Sequence, residues 1–427
     1  MPGLHTSQAA TGTEDRSRPR GVLPALCATQ IISGGVVYYA FPVLNARITA
    51  DTGWSTTSTT AAFSGALLVS ALTGIFVGRI LDHRGPRAVM TIGSVLGVAA
   101  VLLLAYAPNL AVFTAAWLLA GVAMAATFYE PAFVAVTRWW GPDRVRALTI
   151  VTLAGGLSST AFAPLTAALA EHLSWRTTYI VLAVILAAVT IPANALALRA
   201  PWPPAPPHPT QHAHGSGSVA RSRPFLMLAA ALTFNGFTMY AVIIGLVPLM
   251  TERGASPTVA AWALGLCGAG QTLGRTLYAA LARRTGVTTR TVVLIAMGGG
   301  TTALLAAVPG PVPLLVVLAV IAGMVRGNLT LLQATAVTDR WGTSQYGRLS
   351  GLLAAPATVA SALAPFAGAA MVAPLGGYPQ LFFLLAAVSA FAAVLAAYSR
   401  APAHSGDGAT GPSIDVLLRA RGGSTDP

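Results

Sequence analysis

The chain has 427 residues, of which 55% are hydrophobic and only 9% are charged. Soluble domains usually carry about a quarter charged residues, so this composition excludes an ordinary soluble fold. The mean hydropathy of +0.69 points to membrane helices instead. The formal net charge is +13, which could indicate nucleic-acid binding unless the basic residues have another role.

Apolar runs of membrane length recur along the whole chain. A backbone in lipid must satisfy its own hydrogen bonds, so runs of about 20 apolar residues predict helices that cross about 30 Å of hydrocarbon. We therefore expect an all-α, polytopic membrane protein with twelve transmembrane helices. The predicted spans are 22–45, 57–80, 87–107, 110–137, 146–171, 175–198, 224–250, 257–282, 289–308, 312–338, 347–373 and 378–399.

The basic residues, which are all arginine, are distributed unevenly between the two sides of these spans. If the N-terminus is cytoplasmic, the outer loops hold only Arg47, Arg176 and Arg253, and most of the other arginines fall on the cytoplasmic side. Cytoplasmic loops of membrane proteins are enriched in basic residues. The distribution predicts a plasma-membrane protein with both termini in the cytoplasm, and it explains the charge without nucleic acid.

A polar segment divides the spans into two groups of six. Residues 199–223 are rich in Pro, His, Gly and Ser, a composition typical of a flexible linker. Its histidines and the two cysteines, Cys27 and Cys267, suggest no metal site, cofactor or disulfide. The predicted division is a cytoplasmic N-terminal tail 1–21, a six-helix half 22–198, a cytoplasmic linker 199–223, a second six-helix half 224–399 and a cytoplasmic tail 400–427.

The two halves also match each other in sequence at an offset of 201 to 202 residues. Gly35, Tyr39 and Ala40 match Gly236, Tyr240 and Ala241, and the pair Arg138–Trp139 matches Arg340–Trp341. Repeated halves are typical of secondary transporters, which bind their substrates near the midplane between the repeats and move by rocking one repeat against the other. The repeat predicts two pseudo-symmetric halves and alternating access.

The loop after the second span reads GRILDHRGPR and resembles the cytoplasmic signature of the major facilitator superfamily. The resemblance implies a gating role for this loop. We expect Gly78 to allow close helix packing, Asp82 to cap a helix or pair with an arginine, and Arg87 to face lipid phosphate. Gly85 belongs to the same gating motif.

Spans 4 to 6 are similar to the monocarboxylate transporter branch and its bacterial relatives. The similarity is carried by FYEPAFVAVTRWWGPDRVRAL, AFAPL and SWRTTYIVLA, and by YYAFPVL followed by GWS. It implies that Arg275 in span 8 binds the carboxylate of the substrate. Two positions differ: Gln271 replaces an Asp of the animal members, and Val43 replaces a Lys. Gln271 then becomes a further candidate contact to substrate.

Three ionisable residues lie within the spans, where they are costly and usually mark a pathway: Glu130, Arg275 and Arg326. Counting from the nearest cytoplasmic arginine at 1.5 Å per residue, Glu130 and Arg275 share a level about 12 Å deep, and Arg326 is about 21 Å deep. We expect Arg275 to bind an anion and Tyr129 and Tyr39 to add hydroxyl contacts.

Glu130 is predicted to carry a proton. A nearby Arg275 stabilises the charged form of the Glu130 carboxyl group, so an anion that binds Arg275 would allow Glu130 to take up a proton. The alternative is that Glu130 pairs with Arg275 or with another helix. Arg326 is either a second anion contact or an outer gate. Pro131 cannot donate a hydrogen bond to the carbonyl of Thr127, so span 4 should be kinked there with that carbonyl exposed.

The sequence thus predicts a monomeric secondary transporter of a small, monocarboxylate-like organic anion, coupled to protons. The alternative is a proton-antiporting exporter of drugs or secondary metabolites. Such exporters typically have an Arg in span 4 at the position of Trp117, and its absence favours the anion transporter. No combination of residues suggests an enzyme.

Overall fold

The computed structural model of the protein describes residues 21–140, 144–202, 219–341 and 346–400. All regular secondary structure in these ranges is helical, and twelve long helices follow one another along the chain. They are α1 Val22–Thr52, α2 Thr56–Arg84, α3 Pro86–Ala105, α4 Leu110–Trp140, α5 Arg146–His172, α6 Trp175–Ala197, α7 Arg223–Glu252, α8 Pro257–Arg284, α9 Val287–Ala307, α10 Val312–Thr335, α11 Tyr346–Leu375 and α12 Tyr378–Ala397.

The predicted all-α fold with twelve membrane helices is confirmed. Among the described residues, eleven helices are long and apolar enough to cross a membrane, whereas α8 is 28 residues long but less apolar. The centre of α8 contains Gln271, Thr272 and Arg275, so its polarity coincides with the predicted binding site. Most of the predicted linker and both predicted tails, at 1–20, 203–218 and 401–427, lie outside the described residues.

The two ends of the bundle differ in charge and in their contacts. At the arginine-rich end, Arg87 Nε donates a hydrogen bond to the carbonyl of Ala195 at 2.9 Å. At the opposite end, Arg176 Nη1 donates to the carbonyls of Ala105 and Ala107, at 3.0 and 2.9 Å. Each contact joins an arginine in the first turn of one helix to carbonyls at the C-terminal end of another helix, where cations are favoured.

Helices α2, α4, α6 and α8 begin at the end opposite to the arginine-rich end, and each begins with a capping side chain. Ser55, Asn109, Ser174 and Ser256 each accept a hydrogen bond from the backbone N–H three residues later. Such caps contribute about 1 kcal/mol each to helix stability. A polar capping residue in the sequence therefore marks the start of each of these helices.

α4 is broken in the middle, as Pro131 predicts. Phe128 is extended and separates the segments Leu110–Thr127 and Tyr129–Trp140. The freed carbonyl of Thr127 accepts a hydrogen bond from Gln30 Nε2 of α1 at 2.7 Å. Gln30 is 4% exposed, so this bond satisfies two buried polar groups at once.

The halves meet along two pairs of helices, α5 with α8 and α2 with α11. Thr160 Oγ1 donates to the carbonyl of Gly265 at 2.9 Å, and the N–H of Phe366 donates to Ser64 Oγ at 3.0 Å. Nearer the opposite end, the hydroxyl of Thr258 bonds the carboxylate of Glu171. These polar contacts between described residues of the two halves lie at mid-depth and on the side of the opposite end.

Candidate functional site

A cavity of about 430 Å³ lies between the two halves. Its walls come from α1, α2, α4, α5, α7, α8, α10 and α11. Of the predicted site residues, the structure brings Tyr39, Tyr129, Glu130, Gln271 and Arg275 together on these walls. A smaller cavity of about 230 Å³ at the opposite end is lined by none of them.

Arg275 is the only cation among the described residues that line the larger cavity. Its Nη1 donates a hydrogen bond to the carbonyl of Thr152 on α5 at 2.5 Å, and the hydroxyl of Tyr129 on α4 lies near the same guanidinium. Nε is buried and has no partner among the described residues. The guanidinium thus joins the two halves and retains donor capacity for a ligand.

Two glycines of α5 make room for these groups. A methyl group on Gly155 would lie 2.2 Å from the hydroxyl of Tyr129. A methyl group on Gly156 would lie 2.5 Å from Thr272 Oγ1 and 3.1 Å from Arg275 Nη1. Any larger residue at either position would therefore displace the predicted anion-binding groups.

Three tyrosines surround the guanidinium. Besides Tyr129, Tyr39 on α1 and Tyr240 on α7 lie within electrostatic reach of Arg275. A turn of π-helix at Gly35–Tyr39 adds a residue to α1 there, and such turns are frequent at functional sites. Sequence reasoning did not select Tyr240 as a site residue, although its match to Tyr39 in the internal repeat was the signal that could have found it.

Glu130 opens the second segment of α4 and is the only acidic residue among the described residues that line the cavity. Its Oε2 lies 3.0 Å from the place where a side chain on Gly74 of α2 would begin. No ion pair joins it to Arg275 or to any other described residue. The alternative in which Glu130 pairs with Arg275 is therefore wrong for this state of the protein.

Gln271 and Arg326 differ in their access to the cavity. Gln271 lies one turn before Arg275 on α8 and lines the cavity, with 6% of its surface exposed. Arg326 on α10 is 2% exposed and does not line the cavity. Arg326 is therefore covered in this state, and its predicted role as a second anion contact or an outer gate stays a prediction.

The loop predicted to be a gate has different contacts from those expected. Gly78 has open space around its Cβ position, so it does not serve close helix packing. Arg87 is exposed but bonds the carbonyl of Ala195, whereas lipid phosphate was predicted. Gly85 has a φ of 76° and packs against the ring of Trp202, which explains why glycine is needed in this turn. The side chain of Asp82 lies outside the described residues.

Within the described part of the chain, no group of three or more His, Cys, Asp or Glu side chains is placed to hold a metal ion. His208, His212 and His214 lie outside it. What the geometry offers is a cavity between two packed helical halves, with one cation and one acid among the described residues on its walls. This is the architecture of a secondary transporter, in which the substrate site lies at the interface between repeats.

Comparison with known proteins identifies the family. The model of the Major Facilitator Superfamily matches residues 26–242 and 226–421, so the chain belongs to this superfamily. Its fold is similar to the crystal structure of the nucleoside transporter NupG, with a TM-score of 0.70 and 12% sequence identity, over 88% of this chain and 99% of that one. At this identity the likeness concerns the fold alone.

Curated relatives are transporters. An MFS-type transporter of Bacillus subtilis (strain 168), YcxA, is 27% identical over 44% of this chain and 48% of its own length. Monocarboxylate transporter 13 of Rattus norvegicus is 27% identical over 71% of this chain and 69% of its own length, and monocarboxylate transporter 11 of Homo sapiens is 31% identical over 45% and 42%. The chain spans about half the length of the first of these relatives. The protein is thus a multi-pass membrane transporter that resembles the monocarboxylate branch.

Proposed function

We propose that the protein moves a small organic anion, with one carboxylate, across the plasma membrane. The observation that carries this proposal is that Arg275 is the single cation among the described residues lining the cavity. Its planar guanidinium suits a carboxylate, which can accept two parallel hydrogen bonds. The hydroxyls of Tyr129, Tyr39 and Tyr240 and the amide of Gln271 supply further contacts.

Alternating access would come from rocking of the two halves. Some polar contacts between described residues of the two halves, such as Thr160 with Gly265 and Ser64 with Phe366, lie at mid-depth or toward the opposite end, whereas Arg275 with Thr152 lies nearer the arginine-rich end. The first group supports a state that is closed at the opposite end, with the cavity served from the arginine-rich end. If the termini are cytoplasmic, as the distribution of arginine predicts, the cavity faces the cytoplasm. The working unit is a monomer, because one chain supplies every wall of the cavity.

Proton coupling is assigned to Glu130. This carboxylate shares the cavity with Arg275 but has no counter-charge of its own among the described residues. A substrate carboxylate in the same cavity repels it, so binding of the anion favours protonation of Glu130. The anion and the proton would then cross together as a symport.

An exporter that exchanges a drug or a secondary metabolite for protons is the second candidate. The unpaired Glu130 favours this candidate, because a free carboxylate in an aromatic cavity can also attract a cation. The two functions differ in which charge the substrate must carry.

Uptake of radiolabelled substrates into vesicles separates the two candidates. An anion transporter should take up lactate or benzoate, and Arg275→Gln should abolish this uptake while Arg284→Gln, a matched change at the arginine-rich end, should not. The proposal would be contradicted if the protein took up only a lipophilic cation, and if this uptake required Glu130 but was unaffected by Arg275→Gln. Such a result would support the exporter.

A further inference from the structure

Arg326 is a charge in the membrane interior that the proposed site does not use. Its side chain is 2% exposed, and neither Nη1 nor Nη2 has a hydrogen-bond partner among the described residues. The thiol of Cys267 on α8 lies within electrostatic reach of it, and no described carboxylate forms an ion pair with it. A buried guanidinium without a counter-charge is costly, and such residues usually mark a transport path.

The side of α10 that carries Arg326 is the side that faces the cavity. Thr330, one turn further along, lines the cavity, and its hydroxyl lies 3.5 Å from the carbonyl of Arg326. At the repeat offset of 202, Arg326 corresponds to Met124, which lines the cavity from the first half. Arg326 therefore lies about 6 Å along α10 from Thr330, one turn closer to the opposite end.

Close to Cys267, α8 also touches the first half. Gly268, next to Cys267 on α8, is so close to α5 that a methyl group on it would lie 1.9 Å from Ser159 Oγ. One turn further toward the opposite end, Thr160 bonds the carbonyl of Gly265. Both contacts join one half to the other, so both must separate when the opposite end opens.

We propose that Arg326 is a second binding residue for the transported carboxylate, reached when α5 and α8 separate at the opposite end. The anion would pass between Arg275 and Arg326, with Gln271 lying between them on the path. Gly327 packs against the backbone of Gln271 and Gly274 packs against that of Met324, so Arg275 and Arg326 lie on neighbouring stretches of α8 and α10. This inference rests on the anion transport proposed above.

Stability distinguishes this role from a structural one. A buried cation that holds helices together should lower the melting temperature when it is removed. An unpaired cation kept for transport should do the opposite, because removing an uncompensated charge relieves the cost of its burial. We expect Arg326→Gln to raise the melting temperature while it slows anion uptake at least tenfold. A lower melting temperature with unchanged uptake would overturn the proposal.

Cys267 provides a direct reporter. The chain has two cysteines, so Cys27→Ser leaves Cys267, which is fully buried in this state, as the single thiol. The alkylation rate of Cys267 by N-ethylmaleimide would be measured in vesicles with and without benzoate. We expect slow alkylation that benzoate suppresses further, with the suppression lost in Arg326→Gln, partly kept in Arg326→Lys and retained in Arg275→Gln.

The outcomes separate this inference from the proposed function. Equal protection in Arg326→Gln and the parent protein, or a thiol that never reacts, would overturn the role of Arg326 while anion uptake stands. Absence of benzoate and lactate uptake by the parent protein would instead refute the proposed function, and the second binding residue with it.

Discussion

Arg275 on α8 donates a hydrogen bond to the carbonyl of Thr152 on α5 at 2.5 Å, so the cation that faces the cavity also joins the two halves. A ligand that binds this guanidinium acts on a group shared by both halves. Occupancy of the site and contact between the halves are therefore coupled through one side chain, which alternating access requires.

Gly156→Ala tests how closely this site is fitted. The added methyl group would meet Thr272 Oγ1 at 2.5 Å and Arg275 Nη1 at 3.1 Å, and would push the guanidinium away from Thr152. We expect the KM for the anion to rise about tenfold or more, as expected for a loss of about 1.4 kcal/mol of binding. Gly300→Ala on α9 is the matched control, because nothing lies within 4 Å of its Cβ position. Similar transport by both variants would contradict the assigned geometry.

Glu130→Gln separates binding from proton coupling. The amide keeps the shape of the side chain but cannot take up a proton, so binding of the anion should persist while proton-driven accumulation is lost. Two measurements on the same vesicles check this expectation. Equilibrium binding tests whether the anion still binds, and uptake driven by an imposed pH gradient tests whether proton coupling is lost. Glu252→Gln, at the opposite end and outside the cavity, should behave like the parent protein. Unchanged gradient-driven uptake by Glu130→Gln would rule out its role.

Gln30→Leu tests the break in α4. The substitution leaves the buried carbonyl of Thr127 without the donor that now lies at 2.7 Å, and an unsatisfied buried group costs about 1–3 kcal/mol. We expect a lower melting temperature in detergent. Gln380→Leu, on the exposed start of α12, should stay within about 0.5 kcal/mol of the parent protein. Equal melting temperatures for the two variants would show that the bond does not support the break.

Asp339→Asn tests the charge cluster at the arginine-rich end of the second half. Asp339 pairs with Arg290 at 2.5 Å, and burial lowers the pKa of the neighbouring Arg340 to about 10 although Asp339 acts to raise it. Removing the one carboxylate leaves two buried arginines uncompensated, which typically costs about 3–5 kcal/mol. A melting temperature close to that of the parent protein would contradict this account.

Helix positions were predictable because long apolar runs and polar caps act locally. The break at Pro131 was predictable for the same reason, since a proline always removes the same donor. Gln30 was not predicted as the replacement donor, because it lies 97 residues away along the chain and only the packing of α1 against α4 brings it there.

Side-chain access and helix spacing were less predictable. Arg326 and Arg275 are both arginines within spans, but only the packing of α8 against α10 shows that Arg326 is covered. Gly78 belongs to a recognisable motif and yet makes no close contact, whereas Gly155 and Gly156, which no motif marks, are closely fitted. A sequence identifies glycines but does not show which of them face a neighbouring helix.

Proton flux into vesicles tests the central claim most directly. The purified protein would be reconstituted with an internal pH dye and challenged with monocarboxylates, dicarboxylates and lipophilic cations, with Arg275→Ala alongside. We predict internal acidification by a monocarboxylate beyond its passive leak, abolished in Arg275→Ala. Proton efflux with lipophilic cations and no response to any acid would contradict the account and identify an exporter instead.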